Sequence, residues 1–264
     1  MPYTDTPEPE LRAAGALAHR LADEARRLAL PRFRTALDVI VKEDESPVTV
    51  ADREVEAALR ALIGDAFADH GILGEEQGRT NMDAEYVWVV DPIDGTKSFI
   101  TGSPLWGTLI ALLHRGRPVL GMIDIPCTDE RWWAFGDGTA VLNGNPARTS
   151  ACQTLAAARI YTTSPDAFEP ADWARYDALS RRTALRRFGG DSYCYGQLAS
   201  GHVDLVVEAG LQPYDYLAMV PIIEAAGGVI TDWQGQPLGV DSDGRVVAAA
   251  TAQLHAEALA GLAA

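Results

Sequence analysis

An unbroken apolar run, Tyr86-Val87-Trp88-Val89-Val90, stops at Asp91-Pro92-Ile93-Asp94-Gly95-Thr96. The run reads as a buried strand, and its end delivers Asp91 where, in α/β sheets, loops at the carboxyl ends of strands carry chemistry. Pro92 fixes φ and lacks an amide hydrogen, while Gly95 permits a sharp bend. Such a turn can aim Asp91, Asp94 and the Ile93 carbonyl at one point, and hard oxygen donors at that density suit magnesium. In isolation the same residues also read as an Asp-Pro turn with Asp94 capping a helix. Two further acidic segments shift the balance. Gly74-Glu75-Glu76 follows another short apolar strand, Gly71 to Gly74, and Pro213-Tyr214-Asp215-Tyr216 opens a helix. Each has a plain alternative, a solvated turn for the first and an N-cap for the second.

Around these segments the hydrophobic spacing predicts an orderly chain. Leu11, Ala14, Ala18, Leu21, Ala25 and Leu28 recur at helical spacing up to Pro31, and Val55, Leu59, Leu62 and Ile63 mark a second helix over about 52–67. Strands are expected over 108–113, 119–125, 131–135 and 139–142, with Gly116 and Asn143-Gly144 in tight connections. From about residue 149 strands and helices alternate: strands at 159–163, 184–187, 203–208, 229–231 and 246–249, helices near 172–182, 192–200 and 214–226, and one at the end. The expected fold class is α/β, an α+β half over residues 1–148 followed by an α/β half over 149–264. The two halves pack as one unit in layers of helix and sheet.

The whole chain excludes several functions. Its 264 residues carry 37 acidic and 22 basic side chains, a formal charge of −15, which argues against tracking a nucleic acid. Such a charge also poses a problem for an anionic substrate, which bound divalent cations would solve by reversing the local field. No apolar run reaches the ~18 residues of a membrane span, and no secretory signal is visible at the start, so the cytoplasm is the expected compartment. Three cysteines without CxxC spacing and five scattered histidines give neither a disulfide framework nor a zinc site. A P-loop and a GxSxG nucleophile elbow are both absent.

In order along the chain stand Lys42, then Val48-Thr49-Val50-Ala51-Asp52, Gly74-Glu75-Glu76, Asp91-Pro92-Ile93-Asp94-Gly95-Thr96, Leu142-Asn143-Gly144 and Tyr214-Asp215 before Ala225-Ala226-Gly227-Gly228. This series resembles the inositol monophosphatase-like phosphatases over nearly the whole chain. The resemblance implies a layered αβαβα sandwich, a homodimer, and two or three magnesium ions acting on a small phosphorylated metabolite. Glu75, Asp91 and the Ile93 carbonyl would hold one ion, and Asp91, Asp94 and Asp215 a second. The catalytic set would be Thr96 and Asp52, which polarise the attacking water, with Glu75 also facing a weaker third ion. Gly95 and Thr96 would receive the phosphate at a helix N-terminus. Two positions depart from the inositol-type pattern: Tyr214 stands in place of Trp, and Lys97-Ser98 in place of Thr-Asn.

Several segments are similar to the histidinol-phosphatase branch: the stretch from Ile93 to Gly102, Glu130-Arg131-Trp132-Trp133, Gly189-Gly190-Asp191-Ser192-Tyr193 and Pro213-Tyr214-Asp215-Tyr216. Histidinol phosphate carries an ammonium and an imidazole, so acids near its alcohol would help. Asp191 and Glu208 are the candidates, read otherwise as a helix N-cap and a strand-end charge. Lys42 and Lys97, the chain's two lysines, flank the expected phosphate segments, and Lys42 is counted with the substrate contacts. Of the adjacent Trp132 and Trp133, one is expected in the core and the other beside the site. The rival readings are an inositol- or sugar-phosphate phosphatase and a non-catalytic metal- or phosphate-binding regulator.

Overall fold

Periodicity and helix signals account for where the helices begin and end. The structure is a computed structural model that describes residues 8–36, 39–41, 47–136 and 138–263. Lys42 and the acidic loop after it lie outside the described residues. Helix α1 (Glu8–Ala29) buries Leu11, Ala14, Ala18, Leu21 and Ala25 and passes into a 3-10 turn, Leu30–Arg32, at Pro31. A short antiparallel pair, β1 (Val39–Val41) and β2 (Pro47–Thr49), leads into α2 (Val50–Ala66). Strands of three residues are too short to leave a periodicity, and the sequence pattern shows only a loop there. Helix α2 opens on a capping box, in which Thr49 Oγ1 accepts from the Ala51 amide and the Asp52 carboxylate from the Thr49 amide.

The next strands are β3 (Gly71–Gly74), β4 (Gly78–Thr80), β5 (Tyr86–Asp94), β6 (Gly107–His114), β7 (Arg117–Ile125), β8 (Glu130–Phe135), β9 (Ala140–Leu142) and β10 (Asn145–Pro146). They form one sheet in the order β10-β9-β8-β7-β6-β5-β3-β4, in which β3 and β5 run parallel and the other neighbours antiparallel. Tight turns at Arg115-Gly116 and Asn143-Gly144, with positive φ at all four residues, join β6 to β7 and β9 to β10. Helix α3 (Thr96–Thr101) separates β5 from β6. A second sheet, in the order β12-β11-β13-β15-β14, contains β11 (Arg159–Thr162), β12 (Leu185–Phe188), β13 (Leu205–Glu208), β14 (Val229–Thr231) and β15 (Val246–Ala249). The remaining helices are α4 (Pro170–Ser180), α5 (Tyr193–Ala199), α6 (Pro213–Tyr216), α7 (Met219–Ala225) and α8 (Ala252–Ala263).

Alternating side chains assign the layers. Trp88, Val90, Ile110 and Leu112 face an outer core shared with α1 and α2. Val87, Val89, Leu109 and Ala111 face a middle core with α5, α7 and the Val206, Val246 and Ala248 side of the second sheet. Leu205, Val207, Val247 and Ala249 face a third core under α4 and α8. Helix, sheet, helix, sheet and helix therefore stack as the expected αβαβα sandwich.

The structure corrects three details. The helix expected over 214–226 is two helices, α6 and α7, because Pro221 has no N–H to donate to the Leu217 carbonyl four residues earlier. The strand expected to end at Asp91 continues to Asp94 through a bulge. Trp132 packs in the middle core and donates from Nε1 to Ser200, whereas Trp133 stacks on Phe135 toward α1, so neither tryptophan flanks the carboxylates.

Gly121 on β7 sets how closely α7 approaches the first sheet, since a Cβ there would overlap the Ala218 carbonyl. Backbone on both sides cannot yield cheaply, so Gly121→Ala should destabilise the fold by about 1–3 kcal/mol. Denaturant titration checks this, and an unshifted midpoint would show that the two elements can part without cost.

Candidate active site

Two features of β3 and β5 bring the first carboxylates together. The strands are parallel with Gly74 opposite Val90, so the residues that follow, Glu75 and Asp91, leave adjacent strand ends side by side. In a regular strand Asp91 and Asp94 would face opposite sides of the sheet. Instead Asp91 pairs with Leu109 and Asp94 with Gly107, three residues against two, and the extra residue turns Ile93 into the outer core. Asp91 and Asp94 then both face the middle layer. The bulge is held by Thr108 Oγ1, which donates to the Pro92 carbonyl at 2.9 Å, and by the Ile93 amide, which donates to Asp91 Oδ1 at 3.0 Å.

Asp215 arrives from α6. It occupies the third position of that helix, after Gln212 as N-cap, and one of its oxygens accepts from the Gln212 amide at 2.7 Å. Carboxylate oxygens of Asp91, Asp94 and Asp215 lie within 4.8 Å of one another, a metal-sized cluster among the described residues. Burial pushes the Asp91 carboxyl well above the ordinary carboxylate range, and the charges of Glu75, Asp94, Asp215 and Asp52 push it further. Asp94 rises for the same first reason, with Asp191 and Asp215 adding repulsion and the Ser192 amide, donating at 2.7 Å, opposing it. Buried oxygens that repel one another at this spacing fit a hard divalent cation, whose charge would cancel the repulsion.

Asp52 uses its two oxygens differently. Oδ2 accepts from Thr49 N and Thr49 Oγ1, which fixes the start of α2, and Oδ1 faces Thr96 Oγ1 at 3.4 Å. Thr96 Oγ1 also lies 3.2 Å from the Ile93 carbonyl. Gly95, at φ 78°, caps α3 in a left-handed conformation that a side chain would strain.

A cavity of about 160 Å³ adjoins the cluster and is lined by Asp94, Asp191, Ser192, Glu208 and Asp215 among others. Asp191, at φ 45°, does not cap α5; it accepts from Ser98 Oγ at 2.6 Å, and burial raises its carboxyl. Glu208 accepts from the Thr163 amide and from Tyr195 OH, both at 2.8 Å, and burial raises it too. A larger hollow of about 700 Å³ near Arg79, Met82 and Asp241 contains none of these carboxylates.

The structure thus gathers Glu75, Asp91, Asp94, Asp215, Thr96, Asp52, Asp191 and Glu208 into one region. Sequence reasoning missed three groups that hold them, Ser98, Tyr195 and Gln212, and also Glu56, which bonds the amides of Glu76 and Gln77 just after Glu75. Glu56 left a signal, because it and Asp52 are two acids on the same stripe of α2 as Val55, Leu59 and Ile63.

The sequence pattern of the inositol monophosphatase family matches residues 10–264. The chain belongs to that family. With the carboxylate cluster, this makes it a metal-dependent phosphomonoesterase. Among its relatives, a bifunctional phosphatase of Arabidopsis thaliana named IMPL2, chloroplastic, is 44% identical over 96% of this chain and 76% of its own. A histidinol-phosphatase of Chlorobaculum parvum is 38% identical over 88% of this chain and 90% of its own. A solved inositol monophosphatase from Zymomonas mobilis superposes with a TM-score of 0.87 at 44% identity, covering 97% of this chain and 98% of that one. No helix among the described residues is long and apolar enough to cross a membrane.

Proposed function

We propose that the enzyme hydrolyses histidinol phosphate to histidinol and phosphate. The observation that carries this reading is the cavity beside the carboxylate cluster, where buried Glu208 and half-buried Asp191 give a cationic alcohol two acids to meet. The Chlorobaculum relative, named a histidinol-phosphatase, supports the same choice. An inositol phosphate is the second reading, favoured by the 44% identity to the Zymomonas inositol monophosphatase.

In the proposed mechanism Asp91, Asp94, Asp215, Glu75 and the Ile93 carbonyl would hold magnesium, in two or three sites. Bound magnesium supplies charge neutralisation on the ester and a lowered pKa for water. Thr96 Oγ1 orients the attacking water and accepts its proton as its own hydroxyl proton passes to Asp52 Oδ1. The water oxygen bonds to phosphorus, the phosphorus–oxygen bond to the alcohol breaks, and the departing oxygen takes a proton from solvent. The backbone at Gly95 and Thr96 receives the phosphate at the start of α3, while Asp191 and Glu208 orient the leaving alcohol. Lys42 stays in the proposal as a substrate contact on sequence grounds alone. A homodimer and a cytoplasmic location also belong to it, the latter supported by three free thiols, Cys127, Cys152 and Cys194. So does the treatment of 1–148 and 149–264 as halves of one unit, because Asp91 and Asp94 come from the first and Asp215 from the second.

Phosphate release over a substrate panel, with and without magnesium, tests this reading. Histidinol phosphate should be preferred to inositol 1-phosphate, and chelation should abolish turnover of both. A charge-assisted hydrogen bond contributes ~1.5–3 kcal/mol, so Glu208→Gln should cost roughly ten- to hundredfold in kcat/KM on histidinol phosphate and much less on the inositol ester. Equal losses would assign Glu208 to holding Thr163 and Tyr195, and equal wild-type rates would favour the second reading.

A further inference from the structure

Glu56 is a fully buried carboxylate on α2 that takes no part in the proposed chemistry. Ionised groups are rarely buried without a partner, because removing them from water costs several kcal/mol. Here the compensation is specific. Oε2 accepts from the Glu76 amide at 2.6 Å; Oε1 accepts from the Gln77 amide at 3.0 Å and from Arg60 Nε at 2.7 Å. Arg60 in turn donates from Nη2 to the Gly78 carbonyl at 2.5 Å, so the Glu56–Arg60 pair grips both sides of the turn joining β3 to β4. Gly74 completes the fit, since a Cβ there would overlap the Glu56 carboxyl.

The two gripped amides directly follow Glu75. Fixing them fixes the backbone on the far side of Glu75, and the parallel pairing of Gly74 with Val90 fixes it on the near side. Helix α2 thus presents two acids one turn apart: Asp52 facing Thr96, and Glu56 bonded to the turn that carries Glu75. We propose that Glu56 is a positioning residue that locks the Gly74-Glu75-Glu76 turn and so holds the Glu75 carboxylate beside Asp91 for metal binding. The charge matters as well as the shape, because a carboxylate can accept both amides and the guanidinium at once, whereas an amide side chain would present hydrogens to one of these donors.

This inference rests on the reading of Glu75 as a metal ligand, and its test separates the two. Magnesium affinity is measured by calorimetry on the substrate-free enzyme, for wild type, Glu75→Gln, Glu56→Gln and the double variant. Partners behind a ligand typically contribute 10–100-fold to metal affinity, so Glu56→Gln should raise the magnesium Kd about tenfold. The double variant should bind within about twofold of Glu75→Gln alone, because Glu56 then has no ligand left to position. A Glu75→Gln enzyme with wild-type affinity would overturn the ligand reading itself. Weakened binding in Glu75→Gln with none in Glu56→Gln would overturn the positioning role alone, as would a full tenfold loss from Glu56→Gln in both backgrounds. Should Glu56→Gln fail to fold, Gly74→Ala displaces the same carboxyl and takes its place in the cycle, with the same outcomes deciding.

Discussion

Asp91→Asn should lower kcat by roughly 10²–10⁴-fold and, in the metal-free protein, raise the melting temperature. The first effect follows if the residue helps hold the cation, whose charge stabilisation is worth several kcal/mol at 1.36 kcal/mol per tenfold. The second follows from the same geometry. Without a cation, Asp91 is buried among Glu75, Asp94, Asp215 and Asp52, and its carboxyl is raised well above the ordinary range. A carboxyl that binds its proton more tightly folded than unfolded favours the fold at low pH and loses that contribution as pH rises through its folded value. Metal-free wild type should therefore lose stability relative to Asp91→Asn as pH rises above the usual carboxylate range. His19, His70 and His255, all lowered by burial, act in the opposite sense in acid, and they cancel when the two proteins are compared at each pH. Melting curves in chelator and in magnesium check this: magnesium should stabilise wild type and barely move the variant. A metal-free variant that melts below wild type would show that the hydrogen bond from the Ile93 amide to the Asp91 carboxylate outweighs the repulsion among the acids.

Thr96→Ala should reduce kcat by ~10²–10⁴-fold, the usual size of a general-base contribution, with KM within about threefold of wild type. Thr96 makes the cleaner test of the pair because, among the described residues, its hydroxyl bonds Asp52 and the Ile93 carbonyl alone, whereas Asp52 also closes the capping box of α2. Asp52→Asn should show a comparable fall in kcat together with a lower melting temperature, since an N-terminal cap contributes about 1 kcal/mol. Steady-state kinetics on both variants decide it. A Thr96→Ala enzyme whose main change is a higher KM would move the residue from water activation to substrate binding.

What the sequence reveals depends on how local the physics is. The acids were visible because a buried apolar run seldom carries charge, so Gly74-Glu75 and Val90-Asp91 mark where two apolar runs give way to acids, although β5 itself stays buried through Ile93. The layered fold was visible in the same way, from runs of period two and period 3.6. One of Trp132 and Trp133 is expected beside the site and neither lies there, because alternation separates two neighbours onto opposite faces without saying whether either face adjoins the site. The interruption between α6 and α7 could have been read from Pro221 and was hidden by strong apolar periodicity across it. Glu56, Ser98 and Tyr195 reach their partners across 20, 93 and 13 residues of chain, and no spacing rule links such pairs.

The bulge in β5 makes the site sensitive to the length of one segment more than to its lettering. Deleting a single residue between Asp91 and Asp94 would keep every acid in the chain and, by regular alternation, keep both aspartates on the middle face, but it would abolish the bulge that sends Ile93 into the outer core and sets its carbonyl beside Thr96. An insertion there would swing Asp94 toward the outer core. Substitution can weaken such a site by degrees, but a one-codon insertion would part Asp94 from Asp91 in a single event. Chains of this kind should therefore be compared across this stretch without allowing gaps.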